Sequence, residues 1–146
     1  MLCSILRRLV LASGLASPLI LATNVAIGSP AKGVWQAAED DAQVEIYDCG
    51  VKLCGRLLTS NELRAHPDLK DVNNTNTDQR ERLVKGLVIL WGFSGGPGSW
   101  SGGNLYRPQQ GRSYSGNLEL VGNDKLKVTG CAMGALCQTQ VWTRLK

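Results

Sequence analysis

The chain has 146 residues, 43% of them apolar, with 16 basic and 12 acidic side chains and a formal net charge of +4. That length allows one domain at most. Nowhere do Lys and Arg run together with interleaved aromatics, so the footprint of a nucleic-acid-binding surface is missing.

The N-terminal segment does not read as part of the fold. Arg7 and Arg8 form a basic start, an apolar stretch runs from Leu9 to Ile27, and small residues follow at Gly28, Ser29 and Ala31. This is the pattern of a secretory signal peptide over 1–31, cleaved after Gly28 or Ala31. An uncleaved anchor is the competing reading, but Pro18 and Asn24 interrupt the run of ~20 apolar residues that a spanning helix needs. The single domain is then 32–146, with no stable membrane insertion after cleavage. Without Arg7 and Arg8 it keeps 14 basic against 12 acidic residues, or +2. That balance argues against nucleic acid or an anionic membrane as partner.

Cleavage also removes Cys3 and leaves Cys49, Cys54, Cys131 and Cys137. An even number in an exported chain reads as two disulfides and a periplasmic or secreted location. Three connectivities are open. The local pairs Cys49–Cys54 and Cys131–Cys137 are favoured, because each closes a hairpin whose facing residues stand near bridging distance. Loops so short constrain the unfolded chain by about 2 kcal/mol each. Four thiolates at this spacing are also a possible zinc set. An oxidising compartment favours the disulfides, and no Cys-x-x-Cys supports a redox role.

Strand signals dominate from residue 33 onward. Val34 to Ala37 is a short first strand. Val44 and Ile46 alternate with Glu45 and Tyr47, and the chain turns at Gly50-Val51-Lys52 and returns through Leu53 to Leu58. From Thr59 to Lys85 the chain is polar and rich in Asn and Asp. This is a long loop, with a short helix over 77–82 capped by Thr77. Gly86 to Phe93 is the most apolar segment, short and bounded by glycine, so strand is favoured over helix. Tyr114, Leu118 and Leu120 line one face of a later strand, Leu126 and Val128 the next, and Gln138 to Leu145 closes the chain. About eight strands over roughly 115 residues, without a long helix between them, predict an all-β, antiparallel up-and-down barrel. Inward candidates include Leu87, Ile89, Trp91 and Phe93. A barrel of that size either fills its interior with side chains or holds one small ligand.

Candidate chemistry is thin. Gly92-Phe93-Ser94-Gly95-Gly96 matches the Gly-x-Ser-x-Gly elbow, but Pro97-Gly98 follows where a helix is required. His66 precedes the serine instead of following it. Asp71 to Asp78 begins like a calcium loop, yet Asn76 stands where glycine is needed and Arg82 where a bidentate Glu is needed. No paired carboxylates or phosphate loop appear. The expectation is a non-enzyme with no metal and no cofactor, and no catalytic residue beyond a residual Ser94.

Gly33-Val34-Trp35 and Trp142-Thr143-Arg144 bracket the domain. In a closed barrel the first and last strands meet, so Arg144 can stack on Trp35 as a structural clamp worth about 1 kcal/mol. These bookends resemble the lipocalin, or calycin, signature. With VEIYDCG at 44–50, LCGRLL at 53–58, KGLVILWGF at 85–93 and GGNLYRPQQGRSYSGNLEL at 102–120, the chain is similar to a family of exported bacterial proteins classed as a domain of unknown function. The resemblance implies a lipocalin-like barrel and no established reaction. Fold analogy implies binding of a small apolar or amphipathic molecule. Trp91, Phe93, Tyr106 and Tyr114 are the candidate lining aromatics, and 59–85 is a candidate lid. The alternative is an envelope or protein-interaction module with a filled core and no ligand.

Overall fold

The structure, a computed structural model, describes residues 28–146. Most of the expected leader therefore lies outside the described residues. Eight strands follow in order: β1 Gly33–Gln36, β2 Gln43–Cys49, β3 Lys52–Thr59, β4 Val88–Gly95, β5 Ser99–Arg107, β6 Arg112–Val121, β7 Lys125–Ala132 and β8 Leu136–Arg144. Each pairs antiparallel with its neighbour, and β1 pairs with β8 to close the barrel. The alternation expected from the sequence is plain in β2 and β7, where Val44, Ile46, Leu126 and Val128 are buried.

Two helical turns interrupt the strands, α1 at Asn61–Ala65 and a 3-10 turn at Thr77–Gln79. The Ser60 side chain caps α1 by accepting from Leu63 N–H at 3.2 Å. The second turn corrects the expected helix over 77–82. It is three residues long and is capped by Asn76, not Thr77, with the Asn76 side chain accepting from Asp78 N–H. A second Asx turn, Asn76 N–H to Asn74 Oδ1, overlaps it and holds the backbone in local turns that compete with helix.

The inward set on β4 also departs from expectation. Leu90 and Phe93 are buried and half-buried Ile89 packs against the core, whereas 87, 89, 91 and 93 were expected to share a face. On β3 the partners are Gly55 for Leu90 and Leu53 for Phe93, two residues against three. That extra residue is a β-bulge at Gly92, whose φ of 79° suits glycine. It reverses the side-chain parity and takes Trp91 off the inner face. A matching bulge in β5, between Trp100 and Gly103, carries the strand partner through the same step.

The barrel has two unlike ends. One holds the β2–β3, β4–β5 and β6–β7 turns together with both flanking segments. Its half is filled by Trp35, Ile46, Phe93, Trp100, Leu118 and Leu126. Phe93 lies against Gly103 and Gly116, where a Cβ would come within 2.4 Å and 2.9 Å of its ring. The other end holds the β1–β2, β5–β6 and β7–β8 turns and the long 60–87 connection, and that half is hollow. One half of the barrel interior is packed with side chains, and the other is open.

Candidate functional site

A cavity of about 600 Å³ occupies the hollow half. That is the size range of small-molecule sites. Every strand from β3 to β8 contributes wall through its inward alternation: Leu57, Leu90, Leu105, Tyr114, Val128, then Gln140 and Trp142. Buried Leu90, Val128 and Trp142 form an apolar base. Polar groups collect nearer the mouth: Glu39 and Asp40 on the β1–β2 turn, Ser60, Gln109 and Gln110 on the β5–β6 turn, and Gln138 on β8.

The mouth is bridged. Arg107, at the end of β5, donates to Glu39 Oε2 at 2.5 Å. Strands 1 and 5 are opposite in an eight-stranded ring, so this ion pair crosses the opening. Next to it, Tyr114 donates to Gln110. The β7–β8 hairpin rises beside the mouth, closed by the Cys131–Cys137 disulfide, with Met133 93% and Leu136 72% exposed at its tip.

The long connection is tied down at the side of the mouth. The Asp71 side chain is fully buried and accepts four hydrogen bonds or ion-pair contacts. These come from Tyr106 Oη at 2.6 Å, Asn74 Nδ2 at 2.8 Å, Arg82 Nε at 2.9 Å and Arg82 Nη2 at 2.8 Å. Asn73 Nδ2 donates to the Gln109 carbonyl at 3.2 Å. Gly111 packs so closely on Asn73 that a Cβ would lie 1.7 Å from its carbonyl oxygen. Burial, then the hydrogen bond to Asp71, then the Asp71 charge push the Tyr106 hydroxyl pKa up to about 12.

The expected site residues fall in different places. Tyr106 and Tyr114 border the cavity, although the Tyr106 hydroxyl turns away toward Asp71. Phe93 is wholly buried in the filled half, and half-buried Trp91 is off the inner face. Neither lines the cavity. Of the expected 59–85 lid, only Ser60 does. Asp71, first in the calcium-like run, has both oxygens committed, and no cluster of metal-ligating side chains occurs among the described residues. Ser94 is exposed near the filled end of β4, while His66 follows α1 at the opposite end. The structure does not bring them together.

Residues that sequence reading passed over carry the site: Glu39, Arg107, Leu105, Gln138 and Gln140. For the glutamines a signal existed. Gln138 and Gln140 stand four and two residues before Trp142, and period-two alternation puts all three on one face.

At the filled end, the Arg144 guanidinium lies 4.2 Å from the centre of the Trp35 ring. It also donates to the carbonyls of Pro30, Lys32 and Asn123. Cys49 and Cys54 form a disulfide beside the β2–β3 turn.

A family model described as an uncharacterized protein conserved in bacteria, DUF2147, matches residues 33–144. The chain belongs to this family. The DUF2147 match runs from the first residue of β1 to the last of β8, so it spans the whole barrel. Among solved structures the chain is similar to the Helicobacter pylori protein HP1028, described as belonging to the lipocalin family. The two are 25% identical with a TM-score of 0.71, over 79% of this chain and 82% of that one. No curated protein matches the chain. The DUF2147 barrel is thus lipocalin-like in fold. Its two disulfides fit an oxidising, extracytoplasmic compartment. No helix among the described residues is long and apolar enough to cross a membrane.

Proposed function

We propose that this protein is an exported, non-enzymatic binder of one small apolar or amphipathic molecule, held in the hollow half of the barrel. The observation that carries this reading is the cavity of about 600 Å³ with its apolar base and polar mouth. Such a gradient suits a molecule with an apolar body and a polar end. Likeness to a lipocalin-family protein adds to it by analogy of fold. The hollow weighs against the alternative, a structural module with a filled core. Native mass spectrometry of protein purified from its own periplasm should show a bound small molecule. A clean apo mass, together with no uptake of apolar dyes, would sink the proposal.

Export requires removal of the leader, and the N-terminal contacts favour one of the two expected cleavage points. Trp35 Nε1 donates to the Ala31 carbonyl at 2.8 Å, and Arg144 donates to the Pro30 carbonyl at 2.6 Å. Cleavage after Gly28 keeps both acceptors, whereas cleavage after Ala31 discards them. The intact mass of the mature protein is expected to start at Ser29. A chain starting at Lys32 would contradict this.

A further inference from the structure

We infer that the cavity takes an uncharged amphiphile bearing a carbonyl acceptor, an ester or an amide, in preference to the corresponding free acid, and that Gln140 reads that carbonyl. The inference rests on the ligand-binding proposal above.

Its first support is the orientation of one side chain. An indole N–H can only donate. Trp142 Nε1 donates to Gln140 Oε1 at 3.1 Å, and this contact decides which way the Gln140 amide faces. Its oxygen is committed to the indole, so its two amide N–H groups point away from Trp142. Among the described residues no protein acceptor meets them. Gln140 lines the cavity opposite Val128 in the β7–β8 register, at the height where the apolar base begins. It therefore offers donors, with their oxygen already satisfied, to a molecule occupying the cavity.

The charges at the mouth supply the second support. The lining carries Glu39, Asp40 and Arg107. Arg107 is the one cation among them, and Glu39 already neutralises it at 2.5 Å. The remaining charge is the Asp40 carboxylate. A free acid must displace Glu39 from Arg107 or leave water beside Asp40 without a counter-ion, and both cost free energy. A neutral carbonyl escapes that cost and accepts from Gln140.

The test compares methyl dodecanoate, dodecanamide and dodecanoic acid as displacers of Nile red from the mature, disulfide-intact protein, at about pH 8 where the acid is ionised. The ester and amide are expected to compete at about tenfold lower concentration than the acid, the worth of roughly one hydrogen bond. Gln140→Leu should raise the ester and amide midpoints about tenfold and shrink their lead over the acid. Glu39→Gln, a change at the exposed rim, frees Arg107 and should strengthen the acid relative to the ester. An acid that competes as well as the ester in the unaltered protein would overturn the inference. So would Gln140→Leu leaving the ester and amide midpoints in place. If all three compete alike, the cavity remains a binding site and the head-group reading falls alone. If none competes and Nile red itself does not bind, both readings fall.

Discussion

Asp71 shows how a polar residue in a loop becomes a fixed point. Its carboxylate is fully buried, and it is satisfied by three side chains, Tyr106, Asn74 and Arg82. Arg82 supplies the neutralising charge. Arg82→Met should cost about 3 kcal/mol, because it leaves a buried anion held by neutral donors alone. Urea unfolding measures it, and an unchanged midpoint would mean that the ion pair contributes nothing. Tyr106 makes the same network sensitive to alkali. Its folded pKa of about 12 lies above the ordinary tyrosine value of 10.0. The associated stabilisation is complete below about pH 10, where both states keep the proton. Between pH 10 and 12 the unfolded chain gives up its proton first, so stability falls as pH rises. Urea midpoints should drop across that window in the unaltered protein and drop less in Tyr106→Phe. Parallel falls would remove Tyr106 as the cause. None of this was legible beforehand: the sequence shows an Asn- and Asp-rich run, and the partner that fixes its meaning lies 35 residues away.

The elements were legible in number and order and less so in phase. Alternating Val, Ile and Leu with charged neighbours marks β2 and β7 without help from the rest of the chain. The β4 pattern misleads because one additional residue at Gly92 swaps inside for outside. The same bulged region seats Phe93 against two glycines. Gly103→Ala would place a methyl 2.4 Å from the ring of a core residue with little room to move. Such overpacking should cost about 2 kcal/mol or more. Gly98→Ala, in the β4–β5 turn with nothing within 4 Å of the new atom, is the matched control. Thermal melts of the two variants should separate clearly. Coincident melts would show that Phe93 shifts at no cost.

At the scale of the molecule, closure depends on few backbone contacts. Trp35 pairs with Arg144 and Gln36 with Thr143 across β1 and β8, and Val34 extends this short seam by backbone hydrogen bonds with Leu145 and Lys146. Arg144 reinforces it by stacking on Trp35 and by donating to the carbonyls of Pro30 and Lys32 before β1 and of Asn123 in the β6–β7 turn. Arg144→Ala should lower stability by about 2 kcal/mol, several degrees in melting temperature. Arg144→Lys should recover little of it, since an ammonium lacks the planar fork that stacks and donates together. Full recovery by lysine would show that charge alone matters.

Strand count, antiparallel order, the even cysteine set and the paired ends follow from the sequence by itself, because alternation and turn chemistry are written in near neighbours. The hollow half was decided only in three dimensions. It depends on which side chains from different strands reach the same height, and on contacts such as Glu39 with Arg107, 68 residues apart. The bulge in β4 turns Phe93 inward, where it packs in the filled half. The side chains lining the other end leave a cavity of about 600 Å³ between them.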